Sequence, residues 1–326
     1  MISYRLGVDD LADMRFACSP LLETATSLWA LYEPSAHVLH LPWIRQTKAL
    51  LQDWPDRELL MSLVAPQVQW LPDFLTPRPT SPLPDVDDEL RRVRSTPPRR
   101  AVADVRSAYS GRPLPVELER LCARPRLLRD RLADLLTSYW TSAVEPHWPR
   151  MRAVLEADMV YRARLLARDG AGAVLTGLDP SAQWSDGVLR LRVSSYELDY
   201  DAEVQGRGFW LVPTVFAKHA ISPVGADEPP TVAYPARGIG TLWEQRPSEP
   251  GALDSLIGPA RAALLIALEC PASTLELARR RQVTPGAISQ QLATLLTNGL
   301  VSKARAGRVV LYARTELADQ LIGKRP

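Results

Sequence analysis

Residues 259–322 carry helix starts and stops so densely that one order of elements fits them. Pro259 opens an apolar helix as its first residue, with Leu264, Leu265 and Leu268 as core positions. Ser273 and Glu276, three residues apart, make a capping box at the head of TLELARRRQ. Val283 sits in the turn that follows. Thr284 and Pro285 are the N-cap and first residue of the next helix, and Asn298-Gly299 ends it. Leu300–Tyr312 then reads as a β-hairpin with Arg305-Ala306-Gly307-Arg308 at its tip, and Thr315–Ile322 as a short last helix.

The helix after Thr284 has two unlike faces. Ile288, Leu292, Leu295 and Leu296 share one side at helical spacing. The opposite side holds Gly286, Ala287, Gln290, Ala293, Thr294 and Thr297, with Ser289 and Gln291 at the flanks of the apolar stripe. A helix meant only for solvent more usually carries Glu and Lys there. Small side chains permit close approach to a DNA major groove, and amides or hydroxyls can read base edges. Gln290 is the best placed, because Gln can hold adenine in a bidentate contact. Lys303, Arg305 and Arg308 on the hairpin suit phosphates or the minor groove. Arg279-Arg280-Arg281 suits either phosphates or the negative end of its own helix.

The stretch STLELARRRQVTPGAISQQLATLLTNGLVSKARAGRVVLYARTELADQLI resembles the winged helix-turn-helix of the ArsR-like transcriptional repressors. The T-P-G-A-I-S-Q-Q-L pattern, the G-L-V and the G-R-V-V-L-Y carry the likeness, which covers about a fifth of the chain. The resemblance implies a dimeric repressor on an inverted repeat, with Ser289 and Gln290 facing bases and Arg305 and Arg308 at the backbone or minor groove. The DNA-binding set is then Thr284, Ala287, Ser289, Gln290, Gln291, Thr294, Lys303, Arg305 and Arg308. Metal-sensing members carry paired cysteines in the helix before the recognition helix. TLELARRRQ has none, and Cys270 lies before it alone, so the metal role is not carried over and no metal or cofactor is expected. The larger N-terminal part resembles a domain of unknown function found fused to such repressor domains, through PARGIGTLWE (235–244) and the helix before DGAGAVL (169–175); no activity comes with it.

Charge divides the chain at the same place. The whole sequence is formally +2. Residues 251–326 hold ten basic and five acidic side chains, a net of +5, and the first 250 residues are −3. A slightly acidic body with a basic tail is the asymmetry of a regulator with a nucleic-acid-binding end, although small basic domains without such a partner are common.

The first 250 residues are expected to be helical over 1–170 and β-rich over 171–245. A short strand, Ile2–Leu6, opens the chain. Ser19-Pro20 starts a helix. Residues 72–84 hold five prolines and read as an irregular surface loop, and Pro97-Pro98 marks a second break. Helical spacing returns over 114–169, with Met151, Leu155, Met159 and Arg162 on one long helix that Asp169-Gly170 ends. VLRLRV (188–193), GFWLVPTVF (208–216) and TVAY (231–234) suggest a small antiparallel sheet. Glu244–Leu253 is the candidate linker. The fold class is therefore α+β, mainly helical: a large N-terminal domain (1–250) with a small sheet, and a C-terminal winged helix-turn-helix (251–326).

Other chemistry is thin. His37 and His40 lack a third fixed metal ligand and read as apolar packing. Cys18, Cys122 and Cys270 read as small buried hydrophobes in a reducing cytoplasm. The tryptophans, four of them in the first seventy residues, line either a large core or an apolar ligand cavity. Asp9-Asp10 and Asp87-Asp88-Glu89 read as helix N-termini rather than catalytic pairs. No P-loop, GxGxxG or GxSxG occurs, and no membrane-spanning run. The expectation is a cytoplasmic, non-enzymatic, homodimeric repressor on double-stranded DNA, with a possible small-molecule effector in its N-terminal domain. The alternative is a small-molecule-binding protein or enzyme whose tail mediates protein contacts.

Overall fold

Proline placement decides where many helices of this chain begin. The computed structural model describes residues 1–192, 200–223, 230–243, 252–268, 270–306 and 309–322. The chain falls into two compact units, Met1–Trp243 and Glu244–Pro326. The first opens with strand β1 (Ile2–Arg5), helix α1 (Val8–Ala12) and strand β2 (Met14–Phe16). Helices follow: α2 (Pro20–Tyr32), α3 (Leu41–Leu50), α4 (Arg57–Met61), α5 (Val86–Ser95), α6 (Pro98–Ala108), α7 (Val116–Cys122), α8 (Pro125–Tyr139) and α9 (Trp148–Thr176). Pro stands at the first or second position of α2, α3, α6, α8 and α9. Its missing N–H would have no partner within the helix there, so it costs nothing and fixes φ. Part of the count of 29 prolines is thus helix punctuation.

The helices close on α2, which is buried on nearly all sides. Leu21 and Leu28 of α2 join Trp43, Leu132, Leu136 and Tyr139 in one apolar core. Its hydroxyls are spent internally: Thr24 donates to the Pro20 carbonyl at 2.8 Å, and Ser27 Oγ lies 2.8 Å from the Tyr139 hydroxyl. Helix α9 breaks at Gly170 (φ 80°, ψ 176°) and resumes to Thr176, so the Asp169-Gly170 stop is a kink rather than an end.

Five strands follow: β3 (Ala182–Ser185), β4 (Val188–Leu191), β5 (Tyr200–Glu203), β6 (Phe209–Thr214) and β7 (Thr231–Pro235). Asp186 and Gly187 both have positive φ (53° and 75°), the backbone a tight β3–β4 hairpin requires. The expected small sheet is in fact two. One has the order β3-β4-β1-β5, antiparallel except where β1 pairs parallel with β5. The other, β2-β6-β7, is wholly parallel. Every residue of β6 is buried, which is why it reads as an unbroken apolar run instead of alternating. The first sixteen residues thus complete sheets whose other strands lie beyond residue 180.

The proline segment 72–84 is irregular apart from one turn at Asp73–Leu75, as expected. It is not confined to the surface, however: Pro72, Phe74, Leu75, Arg78 and Pro79 are buried. Proline brings no N–H that burial would leave unpaired, so this loop can be packed inward at low cost. Cys18 and Cys122 are buried, and Cys270 is exposed, unlike the expectation for it.

The second unit comprises α10 (Ala252–Ile257), α11 (Pro259–Ala267), β8 (Ala272–Ser273), α12 (Thr274–Arg281), α13 (Pro285–Thr297), β9 (Val301–Ala306), β10 (Val309–Arg314) and α14 (Glu316–Leu321). Most of the expected linker, 244–251, lies outside the described residues. Leu264, Leu265, Leu277, Ile288, Leu292 and Leu295 form its core. The strands order as β8-β10-β9, all antiparallel. The architecture is α+β and mainly helical, and no helix among the described residues is long and apolar enough to cross a membrane.

Candidate functional site

Local capping chemistry sets the geometry of the second unit. Ser273 Oγ accepts from the Glu276 N–H at 3.3 Å, and the Glu276 carboxylate accepts from the Ser273 N–H at 2.7 Å, closing the capping box on α12. These bonds hold the Glu276 carboxyl below the usual range. Gln282 adopts a left-handed conformation (φ 54°), and the Val283 N–H returns to the Ala278 carbonyl at 3.1 Å, so the chain turns sharply. Thr284 Oγ1 then accepts from the Ala287 N–H at 3.3 Å and starts α13. At the far end Gly299 (φ 68°) is the C′ residue, with the Leu300 N–H on the Leu295 carbonyl at 2.9 Å.

Exposure along α13 refines the expected interface. Thr284, Gly286, Ser289, Gln290, Ala293 and Thr297 are exposed, whereas Ala287, Gln291 and Thr294 are half-buried. At 3.6 residues per turn, the open surface is centred between Ser289 and Gln290, not on the line through Ala287 and Thr294. The Thr294 hydroxyl is also turned back to the Gln290 carbonyl, at 3.2 Å. Ser289 and Gln290 are thus the exposed polar side chains of this face best placed for an outside partner. On β9, Lys303 and Arg305 are exposed and two residues apart, hence on one side of the strand, opposite Tyr312 and Val310 of β10. Arg308 lies outside the described residues. Arg279, Arg280 and Arg281 are exposed at the end of α12.

The first unit holds a cleft of about 710 Å³. Trp29 and Tyr32 of α2, Trp70 and Phe216 give it aromatic walls, and the proline segment contributes Arg78. Two of the early tryptophans therefore line a cavity, while Trp43 is core. His37 borders the cleft with its ring nitrogens 3.0 Å and 3.2 Å from the carbonyls of Glu33 and Phe216. Burial holds its pKa below the ordinary histidine value. His40 accepts from the Trp243 indole N–H at 2.8 Å and packs on Phe216, and burial pushes its pKa down to about 4. Both rings of the H-x-x-H pair are therefore engaged with protein groups. Among the described residues no cluster of three or more metal-ligating side chains occurs.

Sequence reasoning missed the buried charges of this unit. Asp158 and Arg162, one turn apart on α9, pair at 2.9 Å while almost wholly buried. Asp158 also accepts from the Tyr234 hydroxyl at 2.9 Å and the Arg237 N–H at 3.1 Å, and Arg162 donates to the Gly177 carbonyl at 3.0 Å. Burial, then the charge of Asp158, holds the Tyr234 hydroxyl far above the ordinary phenol range. Glu89, expected only as a helix-start residue, turns inward to accept from Ser19 Oγ at 2.6 Å and the Leu21 N–H at 2.8 Å; burial raises its pKa to about 7. Glu23 is buried too, accepts from the Val215 N–H, and is raised to about 8 by burial. An acidic residue at i and an arginine at i+4 is legible in a sequence, but whether such a pair faces solvent or core is not.

Residues 99–240 match a family of unknown function (DUF5937), which spans the Asp158–Arg162–Tyr234 network and part of the cleft. No curated protein and no solved structure matches the chain.

Proposed function

We propose that the chain is a cytoplasmic DNA-binding transcriptional regulator, a repressor that holds an inverted-repeat operator as a homodimer through its second unit. The observation that carries this reading is the open face of α13, where Ser289 and Gln290 stand exposed among Gly286, Ala293 and Thr297. Small neighbours let a helix backbone come close to a base-pair edge, and an amide can then bond adenine twice. The order α12, left-handed turn, α13, hairpin supports reading this unit as a winged helix-turn-helix, in which β9 and β10 would be the wing. Lys303 and Arg305 supply the sequence-independent contacts that fix register on the phosphates. The net +5 of residues 251–326 favours such a polyanion. Two copies related by a two-fold axis would read two half-sites one helical turn apart. A ligand in the first unit that prefers the non-binding conformation would release the DNA by shifting the population.

Band shifts on the DNA upstream of its own coding region, at two salt concentrations, test this. Gln290→Ala is expected to weaken operator binding by about 1–3 kcal/mol and to leave non-specific binding nearly unchanged. Lys303→Ala and Arg305→Ala are expected to weaken binding to every sequence alike and each to lower the salt slope by about one. Binding that is only weak and sequence-independent, or that ignores all three substitutions, sinks the reading and favours a tail that contacts protein.

A further inference from the structure

We infer that the 710 Å³ cleft of the first unit binds a small amphipathic organic anion, an aromatic or alicyclic skeleton bearing a carboxylate or sulfonate. Its size lies within the roughly 300–1,000 Å³ usual for small-molecule sites. The apolar part is supplied by Trp29, Tyr32, Trp70 and Phe216, of which Trp29 and Tyr32 already meet edge to face with ring centres 6.3 Å apart. Such rings offer flat, rigid surfaces to a flat ligand skeleton.

The sign of the ligand's charge follows from the rest of the lining. Arg78, Arg112, Arg192 and Lys218 face two carboxylates, Glu33 and Asp73. Lys218 Nζ already lies 3.3 Å from Glu33 Oε2, so one cation and one anion of this set largely cancel. Taken whole, four lysine and arginine side chains of the lining stand against two carboxylates, a formal excess of two positive charges. Burial lowers the pKa of His37, whose two ring nitrogens both meet backbone carbonyls. Arginine presents planar, paired donors that match a carboxylate or sulfonate, and Arg78 lies buried, where solvent screens such a match less. An aromatic cage with acidic groups alone would take a cation; here arginines outnumber the acids, and an anion fits better. The polar lining is completed by hydroxyls, among them Ser222, whose Oγ is 2.6 Å from the Tyr4 hydroxyl. This assignment stands on the first unit alone and does not depend on DNA binding by the second.

The test uses the full-length protein and three probes of one shape: naphthoate, the neutral naphthamide and naphthylmethylammonium. Calorimetric titration is expected to show saturable binding of naphthoate, about tenfold or more tighter than naphthamide, with the ammonium weakest. Arg112→Gln and Arg192→Gln change exposed residues; Arg112 also donates to the Pro66 and Gln67 carbonyls at 3.3 and 3.4 Å, so a Tm like that of the wild type is established first. Together they are expected to weaken naphthoate binding severalfold more than naphthamide binding. Trp70→Ala, at a half-buried position, is expected to weaken all three probes. Equal affinity for the three probes, tighter binding of the ammonium, no saturable binding of any probe, or a preference that survives the folded double arginine variant would each overturn the assignment.

Discussion

Asp158→Ala is expected to destabilise the first unit by about 3–5 kcal/mol, the cost of leaving a buried charge without its partner. For a unit of this size that is a fall of roughly 10 °C in Tm. The carboxylate takes three donors from two parts of the fold: Arg162 on its own helix, and the Tyr234 hydroxyl and Arg237 N–H at the end of β7. Its removal strands the Arg162 guanidinium, which is 2 % exposed and packed 4.3 Å from the Tyr234 ring centre. The Gly177 carbonyl alone cannot compensate the charge. The double replacement Asp158→Leu with Arg162→Leu removes both charges together, and such swaps for apolar residues are often neutral. It is expected to recover most of the loss. Scanning calorimetry of the wild type and both variants checks this. A Tm for Asp158→Ala within about 2 °C of wild type would show that the pair is not buried as described.

The same network shows what can be read from sequence and what cannot. Arg162 stands on an apolar stripe with Met151, Leu155 and Met159, and that spacing places α9 correctly. The stripe alone does not say that Arg162 is neutralised inside, because its partners Tyr234 and Gly177 are distant in sequence and their meeting depends on the sheets. Those sheets were themselves only partly legible. β6 and β7 announce themselves as apolar runs, but β2 is three residues long, too short for any period, and its pairing with β6 joins residues nearly two hundred apart. The helices α11 to α13 and the strands β9 and β10 were read from local signals: a capping box, an N-cap with proline and a C′ glycine act within a few residues of themselves, whereas α10 and the two-residue β8 were not foreseen. What also eluded that reading was side-chain exposure. Ala287 and Thr294 satisfy the wheel for an outward face, yet are partly covered, as is Gln291 at the flank of the apolar stripe. The cleft was beyond reach for a related reason. Tryptophans early in a chain suit a core or a cavity, and the packing assigns Trp43 to the core and Trp29 and Trp70 to the cleft walls.

Glu23→Gln is expected to stabilise the protein at pH 8.5 and to change little at pH 5. Glu23 is wholly buried, and its carboxyl meets the Val215 N–H and the Thr214 hydroxyl. Burial lifts its pKa from 4.5 to about 8. In the folded state the group therefore stays protonated up to about pH 8, whereas in the unfolded chain it ionises above 4.5. Between those values unfolding releases a proton, so stability present below pH 4.5 is lost as pH rises towards 8, by a total of about 4 kcal/mol. Glu89, raised to about 7, acts with the same sign over a narrower window. His37 and His40 act oppositely: their folded pKa values are depressed, to about 4 for His40, so they destabilise the fold as pH falls below 6.5. Between about pH 4.5 and 6.5 the two sets act in opposite directions, and above that range the raised carboxyls set the sign. The wild-type Tm should therefore decline from about pH 6.5 towards pH 8.5. Glutamine keeps the shape of the protonated acid without its titration, so the variant should lose most of that decline, and the two curves should separate by several degrees at pH 8.5. Parallel curves for the two proteins from pH 5 to 8.5 would mean that Glu23 is ionised in the fold and that a cation, not burial, governs it.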